Sequence, residues 1–169
     1  MEVRRTTLQP IVAGWNAKAT ALLEVQMEMT KWAIEDRSTA TAVGWISLDS
    51  TGLPPATGPT VGFEIRRRFW NSGYATAALV CLEKYLFREM AFRFLSGLAF
   101  VDNAASRRVF EKAGFQELGG CVCQGFDCVE YQLSLAAFER ATPLHEPATR
   151  ICGSRNAVIK WVPFRRWWK

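Results

Sequence analysis

The apolar positions of the chain change period several times, and each change marks an element. Val61, Phe63 and Ile65 are apolar while Gly62 and Glu64 are not, which predicts a strand with one face in a core. Ala75, Leu79, Leu82, Leu86 and Met90 then recur at spacings of 4, 3, 4 and 4, with Glu83, Lys84 and Arg88 on the other side, so the period becomes helical. Phe92 to Val101 is almost continuously apolar, as in a strand buried on both faces. A second helix opens near Asn103, carries Ala105, Val109 and Ala113, and stops at Gly114 with apolar Phe115 behind it. Strand, helix and strand in this order form a βαβ unit, with parallel strands and a right-handed crossover. Ligands bind such units at the carboxyl ends of the strands, here Arg66 to Tyr74.

The flanks are less regular. Val3 to Ile11 reads as a first strand and Ala17 to Thr30 as a helix, separated by Pro10 and Gly14. Lys31 to Glu35 and Ala42 to Leu48, rich in aromatic and β-branched residues around the polar stretch Asp36 to Thr41, predict an antiparallel hairpin. Asp49 to Pro59 is a loop. Residues 116–123 and 128–135 predict a second hairpin around Gln124, Gly125, Phe126 and Asp127. A domain over residues 1–142 and a C-terminal tail over 143–169 follow, with Pro143 and Pro147 at the exit.

Composition adds bounds. With 169 residues, 49% of them hydrophobic, the chain suffices for one domain with a proper core. The formal charge of +5 suggests an anionic partner until it is mapped: residues 150–169 hold six basic groups and no acidic one. The remainder is nearly neutral, so the basicity says nothing about the body's partner. Cys81, Cys121, Cys123, Cys128 and Cys152 are an odd number, and the N-terminus lacks the apolar run of a secretory leader, which fits a reduced cytoplasm. Three of these cysteines fall in a strand-like stretch far from His145, the only histidine, so buried thiols are favoured over a metal site and none is expected.

The turn between strand and first helix carries the candidate chemistry. Arg66, Arg67, Arg68, Phe69, Trp70, Asn71, Ser72, Gly73, Tyr74, Ala75 and Thr76 supply small residues that let a ligand approach the backbone. The unpartnered N–H groups at the helix start and the positive end of its dipole add an anion site. There is neither a G-x-G-x-x-G nor a G-x-x-x-x-G-K-[ST] motif, which argues against a dinucleotide fold and a P-loop.

Read in order, Val-Gly-Phe-Glu-Ile, Phe-Trp-Asn-Ser-Gly-Tyr-Ala-Thr and Val-Asp-Asn-Ala-Ala-Ser-Arg-Arg-Val-Phe-Glu-Lys-Ala-Gly-Phe resemble the GNAT superfamily of N-acetyltransferases. The resemblance is nearest to the branch that acetylates ribosomal-protein N-termini and its small-molecule-modifying relatives. It is strongest over residues 61–115 and absent after about residue 140. The family's turn pattern [Q/R]-x-x-G-x-[G/A] falls on Trp70 to Ala75, with Trp70 for Gln or Arg and Asn71 where Gly is expected; Asn tolerates left-handed backbone angles.

The resemblance implies an α/β (α+β) fold: a mixed, mostly antiparallel sheet, one parallel strand pair splayed at the cofactor site, and helices on both faces. It implies acetyl-CoA as co-substrate, with pantetheine hydrogen-bonded to backbone near Ile65 and Arg66. Phosphates would meet the turn formed by Asn71, Ser72, Gly73, Tyr74, Ala75 and Thr76. Asn103 would hold the pantetheine, with Ser106 one turn on; the residue pattern alone equally allows Asn103 as a helix N-cap. Direct attack by a neutral amine requires a proton acceptor, an N–H donor for the oxyanion and a proton source for the thiolate. Backbone N–H between Ile65 and Arg67 suits the second. Glu64 is the best-placed base, with a solvated strand face as the alternative. Many family members carry a Tyr acid where this chain has Phe110, which leaves Tyr74, Tyr131 or water as the proton source.

The implied acceptor is a primary amine of a small molecule or a peptide N-terminus, with no sequence-specific nucleic acid bound, in a monomer or homodimer. Two further readings remain: a degenerate domain that binds acyl-CoA without turnover, and a protein acting through its tail. Lys160 to Lys169 combines cations with indoles, a composition suited to a membrane or other anionic surface.

Overall fold

The computed structural model describes residues 30–36, 38–49, 56, 58–141 and the backbone of 157–160. The strand expected at Val3 to Ile11 and nearly all of the helix expected at Ala17 to Thr30 lie outside these residues. Thr30 itself opens a strand.

Among the described residues, seven strands form one sheet. They are β1 (Thr30–Asp36), β2 (Ala42–Asp49), β3 (Thr60–Ile65), β4 (Phe94–Phe100), β5 (Gln116–Cys123), β6 (Phe126–Ser134) and β7 (Ala157–Lys160), in spatial order β5-β6-β4-β3-β2-β1-β7. Among the described residues three α-helices accompany them: α1 (Tyr74–Arg88), α2 (Ala104–Lys112) and α3 (Leu135–Ala141). All pairings are antiparallel except that of β3 with β4, as a crossover through α1 requires. β1, β3 and β4 therefore run the same way and end at one edge of the sheet, with Asp36, Ile65 and Phe100 as their last residues.

Register sorts the strand residues into an apolar face and a more polar one, on which Ser47 and Ser96 are also buried. Ile34, Ile46, Val61, Leu95, Ala99, Val129, Tyr131 and Leu133 fall on one face and are buried, where they join Leu79, Leu82 and Leu86 of α1 and Phe110 of α2 in one cluster. Trp45, Ser47, Gly62, Glu64, Ser96, Glu130 and Gln132 lie on the other face. The alternation read from Val61 to Ile65 is this distinction.

Three local features depart from the sequence reading. The second hairpin turns through only Gln124 and Gly125, both at positive φ (51° and 84°), so β6 begins at Phe126 rather than near Cys128. α3 is too short for its period to show, and Phe138 ties it to α1 through a ring contact with Phe87 at 4.9 Å. Within the segment read as a tail, Ala157–Lys160 pairs antiparallel with β1.

Candidate active site

β3 and β4 part almost as soon as they meet. They pair at Thr60 with Ser96 and Val61 with Gly97, and at no position beyond. Phe110 of α2 stands where they separate. A Cβ on Gly97 would lie 2.2 Å from its ring, and the Phe63 ring is 5.4 Å away, so an aromatic wedge occupies the last paired position and its neighbour. The ring also packs on Phe115 and stacks on Tyr131 at 5.2 Å and 14°. Phe110, at the position where the resemblance implied an acid, is thus a buried packing element.

The edge of β3 facing the gap can be assigned. The Arg66 N–H donates to the Val43 carbonyl at 2.8 Å, so by ladder alternation the backbone groups of Phe63 and Ile65 point toward β4. Arg66 is therefore spent on β2, which removes one of the three backbone donors the sequence suggested. The Ile65 carbonyl accepts the Trp70 indole N–H at 2.6 Å; Trp70, 58% exposed, folds back over the strand end to reach it.

Between strand and helix the chain makes one 3-10 turn, Arg67–Phe69, with no buried residue. Asn71 then takes φ 57° and Gly73 φ 79°, so Asn71 adopts the left-handed conformation its position demands. A Cβ at Gly73 would meet nothing within 4 Å, so the glycine is required for its φ and not for space. Gly73 is the N-cap of α1 and offers no side chain; the first intrahelical bond runs from Ala77 N–H to the Gly73 carbonyl at 3.0 Å. The amides of Tyr74, Ala75 and Thr76 precede it, beside the exposed Arg66, Arg67 and Arg68. Ser72 turns its hydroxyl to the Trp70 carbonyl at 3.3 Å. These features suit an anion such as a phosphate.

Across the gap, Asn103 caps α2: its Oδ1 accepts the Ser106 N–H at 3.1 Å. Its side-chain NH2 has no hydrogen-bond partner among the described residues, so capping leaves two donors for a ligand. Glu64 is exposed on the polar face of β3, cross-strand from Trp45.

The two tyrosines are both engaged. The Tyr74 hydroxyl donates to Asp36 Oδ2, and the carboxylate beside it pushes the phenol pKa up. Tyr131 is fully buried; its hydroxyl accepts from Arg107 Nε at 3.1 Å and donates to Glu117 Oε2 at 3.2 Å, while Arg107 and Glu117 pair at 3.3 Å. Burial, the larger cause, and Glu117 raise its pKa against the opposing pull of Arg107. Asp36, the partner of Tyr74, carries no functional signal in the sequence, although an Asp followed at the second and third positions by Ser and Thr is a turn signature. Among the described residues no group of three metal-ligating side chains stands together, and no helix is long and apolar enough to cross a membrane.

The chain has counterparts among known proteins. Residues 5–116 match the family model of the acetyltransferase (GNAT) domain, which is more than half of the chain. The chain belongs to the GNAT acetyltransferase family. Among curated proteins it is 29% identical over 89 residues to YoaA, an uncharacterised N-acetyltransferase of Bacillus subtilis, across 53% of this chain and 50% of that one. It thus spans about half the length of the curated relative it matches. Among solved structures, a putative ribosomal-protein-serine acetyltransferase from Vibrio cholerae is similar with a TM-score of 0.53 at 20% identity, over 69% of this chain and 70% of that one. The aminoglycoside acetyltransferase AAC(6')-Ib, crystallised with coenzyme A, gives 0.58 at 17% identity, over 70% and 73%. These structures share the fold of this chain.

Proposed function

We propose that the chain is an acetyl-CoA-dependent N-acetyltransferase, moving an acetyl group by direct transfer to a primary amine of a small molecule or a peptide N-terminus. The observation that carries this reading is the gap between β3 and β4 opening beside the uncapped start of α1: a slot edged with backbone donors and acceptors, next to an anion site. Coenzyme A, an extended amide chain ending in phosphates, has the matching chemistry.

In this reading the amides of Tyr74, Ala75 and Thr76 hold phosphate, with Arg67 and Arg68 adding attraction. The Asn103 NH2 and the β4-facing groups of Phe63 hold the pantetheine amides. The Ile65 N–H is the donor for charge developing on the thioester oxygen. Glu64 accepts the proton of the attacking amine, directly or through water. The thiolate takes its proton from solvent, because the hydroxyls of Tyr74 and Tyr131 already donate to Asp36 and Glu117. A thiol pKa near 8.5 makes this tolerable.

The test is incubation of the purified protein with acetyl-CoA and a panel of amines, following released thiol. Turnover that falls sharply in Glu64→Gln is expected. No turnover with any amine, together with no thermal stabilisation by acetyl-CoA, overturns the reading. The buried Phe110 favours one second reading, a domain that binds coenzyme A without transfer. Stabilisation without turnover would select it.

A further inference from the structure

Asp36, the last residue of β1, is buried and collects hydrogen bonds. Its Oδ1 accepts the N–H and hydroxyl of Ser38 at 2.9 and 2.6 Å and the N–H and hydroxyl of Thr39 at 2.9 and 3.0 Å. These donors fix the carboxylate within its own turn and favour its charged form. The second oxygen faces outward and takes the hydroxyl of Tyr74, 38 residues away in sequence.

Tyr74 is the first residue of α1, and the segment before it is weakly held. The 3-10 turn buries nothing, Gly73 has no capping side chain, and Asn71 and Gly73 sit at positive φ. Side-chain contacts restrain it: the Trp70 indole on Ile65, the Ser72 hydroxyl on the Trp70 carbonyl, the edge of Phe69 against the Tyr74 ring at 6.0 Å and 85°, the packing of both rings on the core, and the Tyr74 hydroxyl on Asp36. Of the hydrogen bonds among these, the last joins the start of α1 to β1, two strands from the gap and on the same edge of the sheet.

We propose that Asp36 is a positioning residue of the cofactor site: its carboxylate holds the Tyr74 hydroxyl, and through it the first amides of α1, where a phosphate of coenzyme A is met. This rests on the reading of that turn as a coenzyme A site. A helix N-terminus binds an anion well only if its amides are already aimed, since any ordering left until binding is subtracted from affinity. A phenol locked to a buried carboxylate does that ordering in advance. It also explains why a carboxylate is tolerated near an anion site: its charge is absorbed by five hydrogen bonds.

The test compares the full chain with Tyr74→Phe, Asp36→Asn and the double variant, well below their melting temperatures. Amide exchange in the free protein is expected to quicken about fivefold or more over residues 66–77 in each variant and to stay unchanged over 79–88. Coenzyme A affinity, by calorimetry, is expected to weaken about tenfold in each single variant and no further in the double, because both substitutions act on the same bond, Asp36→Asn removing the carboxylate charge and Tyr74→Phe the hydroxyl. KM for acetyl-CoA should rise by more than kcat falls. Unchanged local exchange, or quickened exchange with undiminished affinity, overturns the proposal, since a purely structural role would lower the melting temperature alone. If the unsubstituted protein has no affinity for coenzyme A, the cofactor reading fails, and the exchange measurement by itself decides whether Asp36 orders the turn.

Discussion

β4 has two neighbours and is bound to them very differently. With β6 it pairs at seven positions, Phe94 with Ser134 through Phe100 with Cys128; with β3 it pairs at two. The same strand is a continuous ladder on one side and a gap on the other. Antiparallel pairing is not the whole reason, because β4 runs alongside β3 in register before parting. What differs is what stands at the junction: β6 places Tyr131 opposite Gly97, stacked flat on Phe110, whereas on the β3 side the Phe110 ring meets Phe63 where pairing stops. The closed side stores the packing that holds the wedge, and the open side leaves the β4-facing backbone of Phe63 and Ile65 without a strand partner. Stability and site are therefore two sides of one strand.

The largest test of this contrast removes the wedge. Phe110→Ala deletes a buried ring shared by Phe63, Phe115 and Tyr131 and is expected to destabilise by about 3–5 kcal/mol in denaturant titration. A loss under about 1 kcal/mol would mean that the ring is not what holds the junction. Gly97→Ala pushes from the strand side. With a Cβ 2.2 Å from the ring, it should cost about 1–3 kcal/mol and shift the Phe110 ring in a crystal structure.

Smaller effects distinguish the two sides further. Tyr131→Phe leaves Arg107 and Glu117 paired at the half-exposed rim of the closed side, so about 1 kcal/mol is expected by the same titration, with little change in coenzyme A affinity. Trp70→Phe removes the donor to the Ile65 carbonyl on the open side and should change stability by only about 0.5 kcal/mol, because water can replace it. Its effect should appear in affinity for coenzyme A instead.

The mildest effect is confined to acid. Hydrogen bonds from Ser38, first, and Tyr74 and Thr39 hold the Asp36 carboxyl well below the usual range, so its folded pKa lies under the value of about 3.9 for an unfolded chain. The stability this contributes is present above that unfolded value and is lost as pH falls through the folded one. The melting-temperature difference between the protein and Asp36→Asn should accordingly be constant near neutrality and shrink on acidification below about pH 4.

The central unit was legible because its signals are local. The alternation over 61–65, the spacing from Ala75 to Met90 and the Gly114 stop each follow from which residues must be dry or must bend, and the helices lie at Tyr74–Arg88 and Ala104–Lys112. Asn71 reads as a left-handed residue from its chemistry, and its φ is 57°. The structure adds long-range pairs to this. Asp36 with Tyr74, and Tyr131 with Arg107 and Glu117, join residues from separate elements, and no periodicity carries that information.

The sequence by itself determined the strand, turn and helix that frame the candidate anion site, because conformational preference and burial act over a few residues. Tertiary structure decided which groups that turn can use. The Arg66 N–H is taken by Val43, the Ile65 carbonyl by Trp70, the Tyr74 hydroxyl by Asp36 and the Tyr131 hydroxyl by Glu117. A hydrogen-bonding group is available to a ligand only when nothing nearer satisfies it, and what is nearer is fixed by packing between elements.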